Sequence, residues 1–186
     1  MVSETAQRSS RVDPRVTRTR KLIRDALISL LAERSFGAIN VQDVAERATI
    51  NRATFYAHYT DKFALLYALV REDFAARLAE GDPLNNRSVQ SKLLAVGSNV
   101  FAFVGAHRKC RIDRDFEPEF QRAIETELID FLSPAFEDCT AMLIASALVG
   151  GAMNWRHRAP KSPAEPIIRN IVEILVDGVK MHPFKV

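Results

Sequence analysis

Apolar residues recur at spacings of three and four from Ile23 to Val179, and strict alternation is almost absent. A strand needs a period of two and a helix one of 3.6, so the pattern can be satisfied only by an all-α fold. Polar breaks divide it into about nine helices.

The first helix is expected from about Pro14 or Thr17 to Arg34, with Asp13-Pro14 as its cap and leading proline and Ile23, Ala26, Leu27, Leu30 and Leu31 on its inner face. Asn40 then caps a second helix, about Val41 to Ala48, and Asn51 caps a third, about Arg52 to Tyr59, leaving Thr49 and Ile50 for a tight turn. Two short capped helices joined this way are the grammar of a helix-turn-helix, whose second helix enters the DNA major groove. A longer fourth helix starts at Thr60-Asp61-Lys62 and runs to the break at Gly81-Asp82-Pro83. The expected division is 1–62, a DNA-binding domain with a basic arm, and 63–186, a larger helical regulatory and dimerisation domain.

In that second part, helices are expected over about 87–106, 118–132 and 138–157. The last of these lines its inner face with small groups, which suit close helix contact. Ser162-Pro163-Ala164-Glu165 reads as a capping box with proline in the first turn of a final helix to about Lys180, whose apolar residues cover more than one contact surface requires. A homodimer through these two helices is therefore expected, with Ala147, Gly150, Gly151, Asn154, Ile168, Ile171 and Leu175 as contacts.

Charge is unevenly placed. Residues 1–62 carry 11 Lys and Arg against 7 Asp and Glu, and from Arg8 to Arg24 seven basic residues face only Asp13. A local basic excess beside a helix-turn-helix suits a phosphate backbone, although a solvated basic tail has the same composition. If the third helix reads DNA, Arg52, Ala53 and Thr54 lie nearest the groove floor, and Arg52 alone there can make a bidentate contact to guanine. Thr17, Arg18 and Arg20 are placed to reach neighbouring phosphates or the minor groove, and the caps Asn40 and Asn51 are counted with the DNA-facing set.

Cys110 and Cys139 stand far apart with no metal-ligand spacing, so neither a zinc site nor any cofactor is expected. Cys110 has basic neighbours that would favour its thiolate, open to reading as a redox sensor or a plain surface thiol. No histidine pairs with a nucleophile or carboxylate at a spacing that suggests an enzyme. The N-terminus lacks the apolar core of a signal peptide, and no run of about 18 apolar residues is evident, so a cytoplasmic protein with no membrane partner is expected.

The segment from Arg20 to Leu66 resembles the DNA-binding domain of the tetracycline-repressor (TetR) family. The resemblance rests on Ile23, Ala26 and Phe36, on Val44-Ala45-Glu46-Arg47-Ala48, on Arg52-Ala53-Thr54-Phe55-Tyr56 with His58-Tyr59, and on Lys62 with Leu65. It implies phosphate contacts from Tyr56, His58 and Lys62, a homodimer on a double-stranded pseudo-palindromic operator, and repression relieved by a small-molecule effector. It also implies an effector pocket in the central helices, for which Phe101, Val104, His107, Phe120, Ile124, Phe131 and Trp155 are candidates; the same aromatic stripe is ordinary core in the competing reading. The alternative function is a ligand-independent DNA-binding adaptor or architectural protein that docks a protein partner. Ser35 and Thr49 stand where the family commonly has glycine, and a β-branched residue at positive φ is costly, so the geometry of the turn is left open.

Overall fold

The computed structural model describes residues 13–80, 88–107, 113, 115–157 and 162–181. Among them are eight α-helices and one 3-10 turn, and no strand. Arg8, Arg11, Gly81-Asp82-Pro83, Cys110 and the side chain of Val179 lie outside the described residues.

α1 (Pro14–Glu33) begins where Asp13 accepts a bond from the Arg15 N–H at 2.9 Å, with Pro14 in the first turn, and buries Ile23, Ala26, Leu27 and Leu30. A 3-10 turn, Phe36–Ala38, follows. Ser35 has φ −67° and ψ 152°, an ordinary extended conformation that makes no demand for glycine.

α2 (Val41–Arg47) opens on a reciprocal cap in which Asn40 and Asp43 each accept the other's backbone N–H, at 3.0 and 2.8 Å. α3 (Arg52–Tyr56) is shorter than the sequence suggested. Its last turn tightens, with the His58 N–H bonding the Phe55 carbonyl, so Ala57 to Tyr59 leave the helix.

The joint between α2 and α3 is a Schellman motif. The Ile50 N–H bonds the Ala45 carbonyl at 3.0 Å and the Thr49 N–H bonds the Glu46 carbonyl at 3.1 Å. Thr49 has φ 56°, the one positive φ outside glycine among the described residues. The turn thus keeps the left-handed geometry that glycine usually supplies, and Thr49 carries its steric cost.

α4 (Lys62–Ala79) is capped by Asp61, which accepts the Ala64 N–H at 2.7 Å, and packs against α1, α5 and α6. α5 (Val89–Ala106) starts at the Ser88 cap, later than expected, and lies against α7 (Asp138–His157) and α8 (Glu165–Met181). By length and mean hydropathy, 1.2 over Val89–Ala106, α5 would pass for a membrane span, contrary to the sequence expectation; here it supplies Val96, Val100, Phe101 and Val104 to the core. α6 (Phe116–Leu132) begins two residues earlier than expected and joins α4 to α7.

The start of α8 corrects the proposed Ser162 capping box. The helix opens at Glu165, with the Ala164 carbonyl taking the first bonds from Ile167 and Ile168. Pro166 then sits at the second helical position, where an N–H has no intrahelical partner anyway, so it costs little.

The core is continuous from α1 to α8, and Phe36, Phe55, Phe74, Phe101, Phe116 and Phe120 are among its fully buried side chains. Truncating one such ring to alanine would cost on the order of 3–5 kcal/mol. Relieving the turn is the opposite case. Thr49→Gly should stabilise the protein by about 0.5–1 kcal/mol, the left-handed penalty less glycine's unfolded-state entropy, and raise Tm by about 1–4 °C in a thermal melt.

Candidate nucleic-acid interface

α3 divides its residues by the helical repeat. Phe55 is fully buried and Tyr59 is only 8% exposed, whereas Tyr56 is 47% exposed. The two inward rings meet at 6.0 Å and fix the helix against its support, which leaves Arg52, Ala53 and Tyr56 facing outward. Arg52 lies over the Tyr56 ring, 5.7 Å from its centroid, and donates from Nη2 to the phenol oxygen at 3.2 Å. An exposed guanidinium is thereby held against the outer face of a helix whose other outward group, Ala53, is small.

Several residues predicted to face DNA are engaged within the protein. Asn51 Oδ1 accepts both the Thr54 N–H at 2.7 Å and the Thr54 hydroxyl at 2.9 Å, and Asn40 is spent on the cap of α2. Both stay exposed at their edges. Thr17, Arg18 and Arg20 lie exposed along the first turns of α1, and His58 is half-buried after α3.

Lys62 departs furthest from the expectation. Its ammonium donates to the carbonyls of Ile39 at 2.8 Å, Phe36 at 3.0 Å and Gly37 at 3.4 Å, and lies 4.6 Å from the centroid of the Phe36 ring. Three donors meet carbonyls in and just after the 3-10 turn, that of Phe36 being shared with the Ile39 N–H, so Lys62 acts as a brace on the turn rather than a cation held out to a phosphate.

Ion pairs fix the frame. Arg47 forks onto Glu33 at 2.8 and 2.9 Å, tying α2 to α1, and Arg34 meets Asp43 at 3.1 Å. The Arg47 hydrogen bond holds the Glu33 carboxyl below the usual carboxylate range. Arg24 of α1 bonds Asp73 at 2.8 Å and also pairs with Glu72, so α1 is anchored to α4. Arg71 of α4 reaches Glu127 at 2.7 Å and Asp130 at 2.6 Å on α6.

A second link crosses from the helix-turn-helix to the larger part and was not read from the sequence. Asp113, just before α6, accepts the Gly37 N–H at 2.5 Å through Oδ2 and the Phe116 N–H at 2.9 Å through Oδ1. A Cβ at Gly37 would lie 3.1 Å from that Oδ2, so glycine here permits the close approach. Burial pushes the Asp113 pKa upward, but bonds from the N–H groups of Gly37, Phe116 and Asp115 and from the Ser35 hydroxyl outweigh it and hold the carboxyl below its ordinary value. Ser35, the departure from glycine, thus contributes to this latch. Beside it Phe36 packs edge-on against Phe116, centroids 6.1 Å apart.

The predicted pocket and dimer residues sort differently. Phe101, Val104, Phe120 and Ile124 are buried in the core, Phe101 meets Trp155 at 5.5 Å, and Phe131 is half-buried. Of the seven, His107 lines a described cleft, at the junction of α1, α4 and α6. Gly151 and Ile168 are used inside the protomer: a Cβ on Gly151 would strike Ile171 Cδ1 at 2.4 Å, and Ile168 fills the space beside Gly97. Gly150 by contrast has nothing within 4 Å of a would-be Cβ, and Asn154 is exposed. Ala147, Ile171 and Leu175 are half-buried.

A three-helix frame whose short third helix carries an arginine and a tyrosine on its outer side defines a helix-turn-helix module within an all-helical chain. Residues 23–69 match the family described as "Bacterial regulatory proteins, tetR family", and the likeness covers that segment of the chain. The uncharacterised HTH-type transcriptional regulator YxbF of Bacillus subtilis (strain 168) is 34% identical over 70 residues, 37% of this chain but 18% of the relative's length. The fold continues beyond the matched segment. A TetR transcriptional regulator from Rhodococcus sp. RHA1 superposes with a TM-score of 0.64 at 17% identity, covering 86% of this chain and 97% of that one. FadR from Bacillus subtilis in complex with stearoyl-CoA gives 0.54 at 16% identity, over 85% and 98%.

The latch has a pH signature. A carboxyl whose folded pKa is depressed contributes stability above its unfolded pKa and loses it as pH falls through the folded value. Asp113→Asn should cost about 1–2 kcal/mol near neutrality. In urea melts, the gap between the two proteins should close as pH falls below the ordinary aspartate range.

Proposed function

We propose that this chain is a cytoplasmic transcriptional repressor that binds a pseudo-palindromic operator as a homodimer and is released by a small-molecule effector. The observation that carries the reading is the outward pair Arg52 and Tyr56 on α3, set on a frame whose inward residues, Phe55 and Tyr59, are buried. Arg52 reads a guanine edge, Ala53 meets a thymine methyl, and Tyr56, His58, Thr17, Arg18 and Arg20 contact backbone and flanking groove. The division at about residue 62 separates this head from the effector-binding body. Lys62 takes the part of an internal brace.

Dimerisation is assigned to the outer stripes of α7 and α8. Leu143 (53% exposed), Ala147, Gly150 and Asn154 follow at spacings of four, three and four, and Ile167 with Ile174 (65% exposed) form the matching row. Exposed aliphatics beside an open glycine suit a second helix pair at close range, and a two-fold interface pairs each stripe with its copy. Two heads then meet half-sites about 34 Å apart. An effector-responsive body is supported by the stearoyl-CoA-bound structural neighbour.

Two measurements test this. On an operator selected from genomic fragments, Arg52→Ala should relax preference at one base pair by about 1–3 kcal/mol, while Tyr56→Phe weakens all sequences alike. An unchanged site preference in Arg52→Ala would remove Arg52 as the reader. In size-exclusion chromatography at micromolar concentration, Ile174→Glu should move the protein from a dimer towards the 20.9 kDa monomer; a wild-type protein already eluting as a monomer overturns the dimer.

A further inference from the structure

Where α1 crosses α4, the surface opens into a cleft of about 470 Å³ that also reaches the end of α5 and the start of α6. This is within the range of small-molecule sites. Its walls are apolar, with Leu31 from α1, Leu69 and Val70 from α4 and Phe116 from α6. Ile28 stands at its rim and is 48% exposed, a large aliphatic without full cover.

Two polar groups, Asp73 and His107, interrupt this lining, and both are acceptors. Asp73 Oδ1 takes the Arg24 guanidinium at 2.8 Å, and no bond is found for Oδ2 among the described residues. Arg24 faces Glu72 as well, so in these ion pairs two carboxylates share one guanidinium. The His107 Nδ1 lies 2.8 Å from the Phe103 carbonyl, which accepts only from an N–H. In the neutral ring Nε2 is then an acceptor.

We propose that this junction cleft is a binding site for an apolar amine, a molecule with a hydrocarbon or aromatic body and one protonated nitrogen. The body covers Leu31, Leu69 and Val70, and the ammonium meets Asp73. An anionic ligand is rejected by the carboxylates. Phe116 borders the cleft and packs edge-on against Phe36 of the head, so an occupant sits next to the contact beside the Asp113 latch. The binding site stands alone; its effect on DNA rests on the effector-responsive reading above and requires different affinity for two head positions.

The test uses three isosteric probes on the full chain, 4-phenylbutylammonium, 4-phenylbutanol and 4-phenylbutyrate, followed by calorimetry. The ammonium should bind at least tenfold tighter than the carboxylate, with the alcohol between. Ala32→Phe, an exposed α1 position on the cleft wall, should lower ammonium affinity at least tenfold while circular dichroism and Tm stay as in the wild type. Asp73→Asn should erase the preference for ammonium over alcohol. Equal binding of the carboxylate, indifference to Ala32→Phe, or no binding at millimolar probe each overturn the site. Operator affinity is read separately. Ammonium binding that leaves it unchanged keeps the site and removes the effector reading, whereas release by other compounds without ammonium binding does the reverse.

Discussion

Phe36 is the residue on which the two parts of the molecule depend. It lies fully buried after α1, where the Lys62 ammonium covers its face, Phe63 packs at 5.4 Å and Phe116 at 6.1 Å. From Phe116 the ring contacts continue to Phe120 and Phe103, and from there to Phe74. A single aromatic column thus runs from the support of α3 into the centre of the body. Close-packed interiors shift between discrete arrangements rather than deforming smoothly, so such a column transmits displacement.

Around this column the polar links are spaced rather than pooled. Arg24 ties α1 to α4, Arg71 ties α4 to α6, and Asp113 ties the 3-10 turn to α6. The two arginine links are surface ion pairs, which contribute about 0–1 kcal/mol each, less than the Asp113 latch. Their value lies in geometry, because each spans two elements that need a fixed angle.

The helical period, the caps and the turn residues of the head were legible in the sequence because each is a local signal. Asp13, Asn40 and Asn51 cap the helices at the positions their spacing implied, and the cap of α4, Asp61, falls within the expected start Thr60-Asp61-Lys62. What the sequence hid was non-local. Lys62 looks like a solvated first-turn residue until the three carbonyls of a turn more than 20 positions away are brought to it. Asp113 lies 76 residues from Gly37. The inner and outer sides of α7 differ by a rotation of one residue, so Gly150 and Gly151 could not be separated by pattern alone. Thr49 is the opposite case: its neighbours demanded a left-handed turn, and the chain accepted the strain.

The Lys62 brace also settles what moves together. α4 has 18 residues, so it is about 27 Å long. Because its first residue is bonded to the carbonyls of Phe36, Gly37 and Ile39, a tilt of α4 is passed on at that joint to the 3-10 turn and the residue after it. Pivoting the far end by roughly 5° would carry the turn, and α2 and α3 with it, by about 2 Å over that length. On the proposed reading of Arg52, which meets a base edge within hydrogen-bonding distance, a displacement of that size separates a bond from none. The helix behaves as a lever arm, and the lysine is the rivet that keeps its load from slipping.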